Sequence, residues 1–299
     1  MKNPDAGPGK GRYAWGQTRR LAFVEFRLYW EGKVNRADLQ EVFGISAPQA
    51  TNDLREYCAI QEQGVIYDPR TRAYVPTEQF APKFGECEPD KYLHELIARW
   101  AEYVSDTSSF LGWLPDYGLL PLPQRSPEPE VLRSVLTAAR EGLALRLGYH
   151  SMSSGFTKRW LSPHALAWDG IRWHVRAFCH RNEQFSDFVL TRMERVVEHK
   201  PSNVRSEQDE DWHEFVMVRL GPNSQLSQVQ KDVIARDYQM DHYEMEVEIR
   251  AALLFYLFQR LGLEGSGWEA SPPILQLEIK NKRELEPVIN RVLPKLSVR

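Results

Sequence analysis

The pattern of apolar and polar positions changes along this 299-residue chain. In the first sixty residues apolar positions recur three and four apart, as at Leu21, Val24 and Leu28, which predicts helices. Between residues 145 and 195 apolar and polar positions alternate, which predicts strands. After Trp212 strand and helix patterns follow each other in turn. The sequence therefore predicts an α+β protein of more than one domain.

Two short predicted helices near the N-terminus are joined by a turn that contains glycine. The first begins at the N-cap Asn35 and ends at Gly44, and the second begins at the N-cap Ser46. A longer predicted helix over 17–30 precedes them, and two β runs around a basic turn follow within 64–76. This order predicts a winged helix-turn-helix.

The second short helix has a polar side that could read DNA. Its apolar residues, such as Ala50 and Leu54, are expected to face the other helices, which leaves amide, hydroxyl and guanidinium groups outward. Amides can bond adenine, guanidinium groups can bond guanine or phosphate, and basic wing residues suit phosphates. The predicted DNA-binding residues are Arg36, Ser46, Gln49, Thr51, Asn52, Arg55, Arg70 and Arg72. The alternative is a hydrolase or adaptor subdomain that uses this fold for protein contacts.

The most informative predicted strand covers residues 173–180. Alternation separates two faces of this strand. The apolar face carries Trp173, Val175, Ala177 and Cys179, and the other face, which carries charge, has His174, Arg176, Phe178 and His180. On the preceding strand Tyr149 and Ser151 share a face that we expect to meet His174 and Arg176. Because an unpaired guanidinium is costly to bury, Arg176 needs either a carboxylate or a ligand. A cationic, hydroxyl-rich surface of this kind suits an anionic nucleotide or short nucleic acid.

The same region carries a series of motifs in order: Gly148-Tyr149, the turn Ser151-Met152-Ser153-Ser154, Arg159, Pro163-His164, Trp168-Asp169-Gly170, Trp173-His174-Val175-Arg176-Ala177 and Asp187-Phe188-Val189-Leu190-Thr191-Arg192. This series resembles the WYL domain of bacterial transcription regulators, an Sm-like small β-barrel. The triplet that names the family falls at Trp173-His174-Val175, so its Tyr and Leu are replaced.

A His in that triplet, between Pro163-His164 and Arg176, is similar to the BrxR/CapW-type regulators of the BREX and CBASS phage-defence operons. The resemblance implies a winged helix-turn-helix before the WYL domain, a smaller C-terminal extension after it, and a dimeric repressor. The predicted ligand-binding residues are Tyr149, Ser151, Ser153, Arg159, His164, His174, Arg176 and Arg192. For Arg192, an ion pair with Asp169 or Glu194 is the alternative.

The expected fold class is α+β multidomain, with a winged helix-turn-helix, a small barrel and a small C-terminal α+β domain. The expected boundaries are a flexible arm over 1–16, the DNA-binding domain over 17–80, a helical linker and dimerisation region over 81–130, the WYL ligand-sensing domain over 131–204, and a C-terminal extension with a dimer contact over 205–299.

Charge and composition refine this picture. The net charge is −3, but residues 131–200 hold 11 basic and 6 acidic residues, a local net charge of +5 that can attract a polyanion. Apolar runs are too short to span a membrane, and the N-terminus has no apolar signal segment, so the expected location is the cytoplasm. The three cysteines lie far apart and predict reduced core thiols, and neither a metal nor another cofactor is expected.

Because motifs of catalysis are scarce, we expect a regulator and not an enzyme. The predicted function is a homodimeric repressor that binds double-stranded DNA at an inverted repeat, with an anionic nucleotide or oligonucleotide relieving repression. Two alternatives stay open. One is a nucleic-acid-binding accessory module for a separate nuclease or helicase, and the other is a nucleotide-processing enzyme.

Overall fold

The computed structural model describes residues 15–85, 87–100, 109–120, 123, 125–263 and 275–293. The chain divides into two compact units, Met1–Leu122 and Pro123–Arg299. The predicted flexible arm lies outside the described residues, except for Trp15 and Gly16, which begin the first helix. Within the described ranges, no helix has the length and apolar character to cross a membrane.

The first unit is a helical domain with one hairpin. Its described elements are α1 (Trp15–Glu31), α2 (Arg36–Phe43), α3 (Ala47–Gln61), β1 (Val65–Asp68), β2 (Ala73–Pro76) and α4 (Pro89–Trp100). The antiparallel pair β1 and β2 forms the predicted wing after α3. The order of a helix-turn-helix followed by a hairpin is therefore present as predicted.

Local signals set the ends of α2 and α3. The side chain of Asn35 accepts hydrogen bonds from backbone N–H groups at the start of α2. The Asp38 carboxylate in turn accepts one from the backbone N–H of Asn35, which completes a capping box. Gly44 ends α2 in the left-handed region, at φ 62°, where glycine carries no steric cost. Ser46 caps α3 through the backbone N–H of Gln49. These caps place the turn between the two helices where the sequence predicted it.

The second unit begins with a helix on a five-stranded sheet. Its elements are α5 (Pro129–Glu141), β3 (Leu143–Ser151), β4 (Gly155–Trp168), β5 (Trp173–Cys179), β6 (Gln184–Val189) and β7 (Met193–Pro201). The sheet is antiparallel, in the order β6-β5-β4-β3-β7. Val131 and Val135 of α5 pack with Leu147 and Val175 in one core beneath the sheet.

The sheet is strongly curved but is not a closed barrel. In a flat sheet β3 and β6 would lie about 14 Å apart, because two strands separate them. Instead the Tyr149 hydroxyl on β3 accepts a hydrogen bond of 3.2 Å from the backbone N–H of Val189 on β6. Among the described strands no ladder joins β6 to β7, which are the two edges of the sheet, and a 3-10 turn, Leu190–Arg192, connects them along the chain. The predicted small barrel is thus corrected to an open, curled sheet.

The C-terminal part follows the predicted alternation of strands and helices. Its elements are α6 (Glu210–His213), β8 (Phe215–Pro222), α7 (Gln228–Asp237), β9 (Met245–Arg250), α8 (Leu254–Leu261), β10 (Leu277–Ile279) and α9 (Lys282–Val292). The three strands form an antiparallel sheet in the order β10-β8-β9. Val218 and Leu220 of β8 pack against Phe258 of α8 and Leu285 of α9 in a separate core. This part has its own apolar core and meets the curled sheet through polar contacts described below.

Candidate functional site

Helix α3, the second helix of the helix-turn-helix, presents a mixed outer face. Ala50 and Leu54 are buried in the core of the first unit, as predicted, and Tyr57 is buried beside them. Asn52 and Arg55 are exposed and make no side-chain hydrogen bond with any described residue. Both are therefore available to contact bases or phosphates.

Two other predicted DNA-binding residues on α3 are already engaged. The Gln49 amide donates to Asp53 at 3.1 Å, and the Thr51 hydroxyl donates to the carbonyl of Ala47 at 2.9 Å. Ser46 serves as the N-cap, with its hydroxyl accepting from the backbone of Gln49. Arg36 is exposed at the start of α2. The helix thus offers fewer free polar groups than its sequence suggests.

Buried carboxylates fix α3 against α1. Asp53 is fully buried and accepts hydrogen bonds from Nε and Nη2 of Arg20, at 2.6 and 3.3 Å. Glu25, also fully buried, accepts from the Tyr57 hydroxyl at 2.9 Å and from the backbone of Lys83 at 2.6 Å. Because each carboxylate would be costly to bury unpaired, these contacts hold the exposed face of α3 in one orientation.

The wing places two arginines at its tip. Arg70 and Arg72 are both exposed, and Arg72 has φ 53° in the turn. The Asp68 carboxylate accepts from the backbone N–H of Arg70 and from the Thr71 hydroxyl, both at 2.9 Å. These hydrogen bonds lower the pKa of Asp68 and shape the turn. The two guanidinium groups project from a hairpin whose backbone is ordered by Asp68.

A cavity of about 240 Å³ opens between the β3–β4 hairpin and the β5–β6 hairpin. We call it the arginine cavity. Its lining residues are Tyr149, Ser151, Met152, Ser153, Ser154, Arg159, Arg181, Asn182, Asp187, Phe188 and Arg192. Five of the eight predicted ligand residues, namely Tyr149, Ser151, Ser153, Arg159 and Arg192, meet there.

The arginine cavity has an excess of positive charge. Arg159 donates to the hydroxyls of Thr157 and Ser154, at 2.8 and 3.1 Å, and its guanidinium carbon lies 5.5 Å from the ring centroid of Tyr149. Among the described residues no carboxylate forms an ion pair with Arg159, Arg181 or Arg192. Guanidinium groups without carboxylate partners suit a carboxylate or phosphate ligand.

The alternative partners of Arg192 are occupied elsewhere. The carboxylate of Glu194 lies 2.5 Å from Nε2 of His150. Asp169 accepts from Nε of Arg172 at 3.1 Å and lies 2.8 Å from Nε2 of His174. Neither carboxylate neutralises Arg192 in this arrangement. The guanidinium group therefore stays available to the cavity.

Arg176 belongs to a second site, which we call the Arg176 cluster, made of Arg176, Asp187, Asp209, His164, His174, Asp169 and Tyr256. The Arg176 side chain is 5% exposed, and its Nε and Nη2 donate to the two carboxylate oxygens of Asp209 at 2.7 and 2.8 Å. Its Nη1 donates to Asp187 at 3.2 Å. Of the two options that the sequence left open for Arg176, the structure shows the carboxylate.

Charge pairing offsets the cost of burial in this cluster. Burial alone would lower the pKa of Arg176, but its hydrogen bonds to Asp209 and the charge of Asp187 raise it above its usual value. Burial alone would raise the pKa of Asp209, but Arg176 and His164 lower it to about 2. The cluster therefore holds a charged guanidinium against the carboxylates of Asp209 and Asp187 at neutral pH, with that of Asp211 3.9 Å away.

The two histidines predicted to bind ligand also lie in this cluster. His164 Nε2 is 2.9 Å from Asp209, and His174 Nδ1 is 3.4 Å from the Tyr256 hydroxyl. Burial lowers the pKa of His174, although Asp169 and Asp187 act in the opposite direction. His164, His174 and Arg176 do not line the arginine cavity.

The expected meeting of Tyr149 and Ser151 with His174 and Arg176 is wrong. Tyr149 lies in the core with Val175 and Phe188, on the face opposite that of Arg176. The reason is topological, because β4 lies between β3 and β5 and the sheet curls Tyr149 toward β6. Whether alternating residues of two strands share a face can be inferred only when the order of the strands and their register are known.

Sequence reasoning missed Arg181, Asn182 and Asp187 as cavity residues. For Asp187 a signal existed, because it stands opposite Arg176 in the register of the β5–β6 hairpin. Counting back from the turn would have paired the two charges. Arg181 and Asn182 lie in that turn, where no pattern of alternation applies.

Models of three protein families match this chain. The BrxR transcriptional regulator winged helix-turn-helix domain matches residues 16–98, the WYL domain matches residues 130–198, and the BrxR transcriptional regulator C-terminal dimerization domain matches residues 215–285. The three matches follow the same order as the predicted domains.

Full-length relatives agree with these matches. The chain is 38% identical over 288 residues to the DNA-binding transcriptional repressor CapW of Pseudomonas aeruginosa, covering 95% of this chain and 96% of the relative. It is 36% identical to the repressor CapW of Escherichia coli (strain KTE188), over 96% of both chains. Among solved structures, proteasome accessory factor B/C of Arthrobacter aurescens is 16% identical, covering 99% of this chain and 52% of that one, with a TM-score of 0.25. These repressors are regulators and not enzymes, and the chain belongs to the family of BrxR/CapW-type WYL-domain transcriptional repressors.

Proposed function

We propose that this protein is a homodimeric, cytoplasmic repressor that binds an inverted repeat in double-stranded DNA and controls a phage-defence operon. An anionic ligand, a nucleotide or a short oligonucleotide, binds the arginine cavity and relieves repression. The ligand acts by favouring a dimer geometry that fits the operator less well.

The observation that carries the ligand part is the set of three guanidinium groups, Arg159, Arg181 and Arg192, around one cavity without carboxylate partners among the described residues. Hydroxyls of Ser151 and Ser153 line the same space, and these are also groups that bond phosphate oxygens. The exposed side chains on α3 and at the wing tip support the DNA part. The match to a dimerization domain over residues 215–285 supports two-fold binding.

The test is fluorescence anisotropy on the duplex upstream of the protein's own gene, with a scrambled duplex of equal length as control. We expect tighter binding to the first duplex, by about 10³-fold or more, with two protomers per inverted repeat. Addition of a 5′-phosphorylated thymidine trinucleotide is expected to weaken that binding without changing the scrambled control. Salt is varied, because phosphate contacts alone give a steep and sequence-independent salt dependence.

Equal affinity for both duplexes would overturn the repressor function and favour the accessory module for a separate nuclease or helicase. Specific binding that the trinucleotide leaves unchanged, together with no binding of the trinucleotide to the free protein, would overturn the sensing function alone. The protein used is the full chain, so that both compact units are present.

A further inference from the structure

The arginine cavity and the Arg176 cluster share one residue, Asp187. Its side chain is fully buried while the residue as a whole is 4% exposed, so it reaches the cavity through its backbone. Its Oδ1 accepts a hydrogen bond from Nη1 of Arg176 at 3.2 Å, and its Oδ2 accepts one from the Tyr256 hydroxyl at 3.0 Å. One residue therefore joins the two sites, with its backbone at the cavity and its carboxylate in the Arg176 cluster.

The partners of Asp187 lead into the C-terminal part of the chain. Tyr256 lies on α8 and is buried. Arg176 also binds Asp209, which directly precedes α6, and these two contacts of 2.7 and 2.8 Å are shorter than its contact with Asp187. The guanidinium of Arg176 is thus shared between the carboxylate of Asp187 on β6 and the carboxylates at the start of α6, those of Asp209 and of Asp211 at 3.9 Å.

We propose that Asp187 transmits occupancy of the cavity to α6 and α8, an inference that rests on the proposed binding of an anion there. An anion in the cavity brings like charge to the side of β6 opposite the carboxylate of Asp187. Repulsion between two anions is strong where water is excluded, and Asp187 reduces it by moving toward Arg176 and Tyr256. Arg176 is then drawn toward Asp187 and away from Asp209.

This displacement acts on the region that matches a dimerization domain. Residues 215–285 give that match and include α8, whereas α6 directly precedes them. A ligand changes DNA affinity only if it binds two arrangements with different affinity. The divided guanidinium of Arg176 provides two such arrangements, one with Asp209 fully bonded and one with Asp187 more closely bonded.

The first test removes one hydroxyl outside the cavity, which bonds Asp187 and lies 3.4 Å from Nδ1 of His174. Tyr256→Phe deletes the hydroxyl that bonds Asp187 and leaves every residue that lines the cavity unchanged. Tyr243→Phe is the matched control, because its hydroxyl bonds the Asp232 carboxylate at 2.7 Å in the same C-terminal part. For each full-length protein we measure binding of the 5′-phosphorylated thymidine trinucleotide by calorimetry, and operator affinity with and without saturating trinucleotide.

The quantity compared is the ratio of operator dissociation constants with and without trinucleotide. We expect Tyr256→Phe to bind the trinucleotide within about twofold of wild type, while this ratio falls by about three- to tenfold, as for the loss of one hydrogen bond from the coupled state. Tyr243→Phe is expected to keep the ratio of the wild type. A purely structural role for Tyr256 would lower thermal stability and leave the ratio unchanged.

The second variant, Asp187→Asn, keeps the shape of the side chain and removes its charge. Because the repulsion is lost, the trinucleotide is expected to bind more tightly than to wild type, whereas its effect on operator affinity becomes smaller. Tighter binding of the trinucleotide together with a smaller effect on operator affinity is a combination that simple damage to the cavity does not produce. It keeps the proposal testable if Tyr256→Phe folds poorly.

Retention of the wild-type ratio by both variants, with trinucleotide binding intact, would overturn the transmission through Asp187 and leave the sensing function standing. Failure of the wild-type protein to bind the trinucleotide would overturn the sensing function and this inference together. The two failures are distinguished by calorimetry on the wild type alone.

Discussion

Arg176 and Asp209 form a doubly hydrogen-bonded ion pair in which neither side chain is more than 5% exposed. The pair joins the middle of β5 to the residue before α6, across 33 positions of sequence. Because both charges are buried, either one left alone would be costly, so the pair fixes where the C-terminal part begins relative to the sheet.

Removal of one partner should therefore destabilise the protein strongly. We expect Arg176→Met and Asp209→Asn each to lower the free energy of unfolding by about 3–5 kcal/mol, and the double variant to cost less than their sum. Urea denaturation at pH 7.5 measures all three. Arg219→Met is the control, because its pair with Glu284 is much more exposed and should contribute far less to stability. Equal losses at the two pairs would contradict the role of burial.

His174 should make stability depend on pH. Burial lowers its pKa below the ordinary value of 6.5, so the unfolded chain takes up a proton at pH values where the folded chain does not. Stability is then fully present above pH 6.5 and declines as the pH falls through that value toward the lower folded pKa. We expect His174→Gln to lose less stability than wild type between pH 7.5 and 5.5, with a slope difference of at most about 1.4 kcal/mol per pH unit.

The control for this pH dependence is His242→Gln, because the His242 side chain is 95% exposed. Its urea midpoint should follow the wild-type protein at each pH. If His174→Gln also follows the wild type throughout, the buried imidazole does not titrate as its surroundings indicate.

Features set by nearby residues were predictable from the sequence. The caps at Asn35 and Ser46, the glycine end of α2 and the wing hairpin all depend on residues within a few positions. Each involves a hydrogen bond or a backbone angle that one residue type favours. The helix-turn-helix and its exposed residues follow from these local signals.

Features set by distant residues were not predictable. The partner of Arg176, Asp209, lies beyond β6 and β7, where no periodicity points to it. Which residues lie on the same face of the sheet as Tyr149 depends on which strands are neighbours and on how far the sheet curls. For this reason the predicted ligand residues were expected in one pocket, whereas the structure divides them between two sites that meet at Asp187.

Specific DNA recognition should depend on Asn52. An amide that bonds a base edge contributes about 1–3 kcal/mol of discrimination, so Asn52→Ala is expected to weaken operator binding by about five- to 150-fold. Binding to a scrambled duplex should change little, because the lost contact carries sequence information. Anisotropy on both duplexes provides the measurement. Gln63→Ala, which removes another exposed amide after the end of α3, is the control. A similar loss on both duplexes would assign Asn52 to backbone contacts.

The wing arginines should contribute through phosphates. Replacement of Arg70 and Arg72 by Ala is expected to weaken binding on operator and scrambled duplexes alike, and to reduce the slope of log affinity against log salt by about one for each lost contact. Titrations at four salt concentrations give the slopes. Arg140→Ala is the control, because Arg140 is exposed on α5 and pairs with Glu141. A loss confined to the operator would indicate that the wing reads bases.

The arginine cavity should depend on individual guanidinium groups and not on the general positive charge of the sheet. Arg192→Ala is expected to weaken binding of the 5′-phosphorylated thymidine trinucleotide by about tenfold or more, as for the loss of a charged hydrogen bond. Arg195→Ala is the matched control, because Arg195 is exposed three positions further along the chain and does not line the cavity. Both variants remove one positive charge, so a long-range field would weaken binding equally in the two. Calorimetry that shows a large loss for Arg192→Ala and little change for Arg195→Ala would place the anion in the cavity. Equal losses would assign the binding to the surface of the sheet.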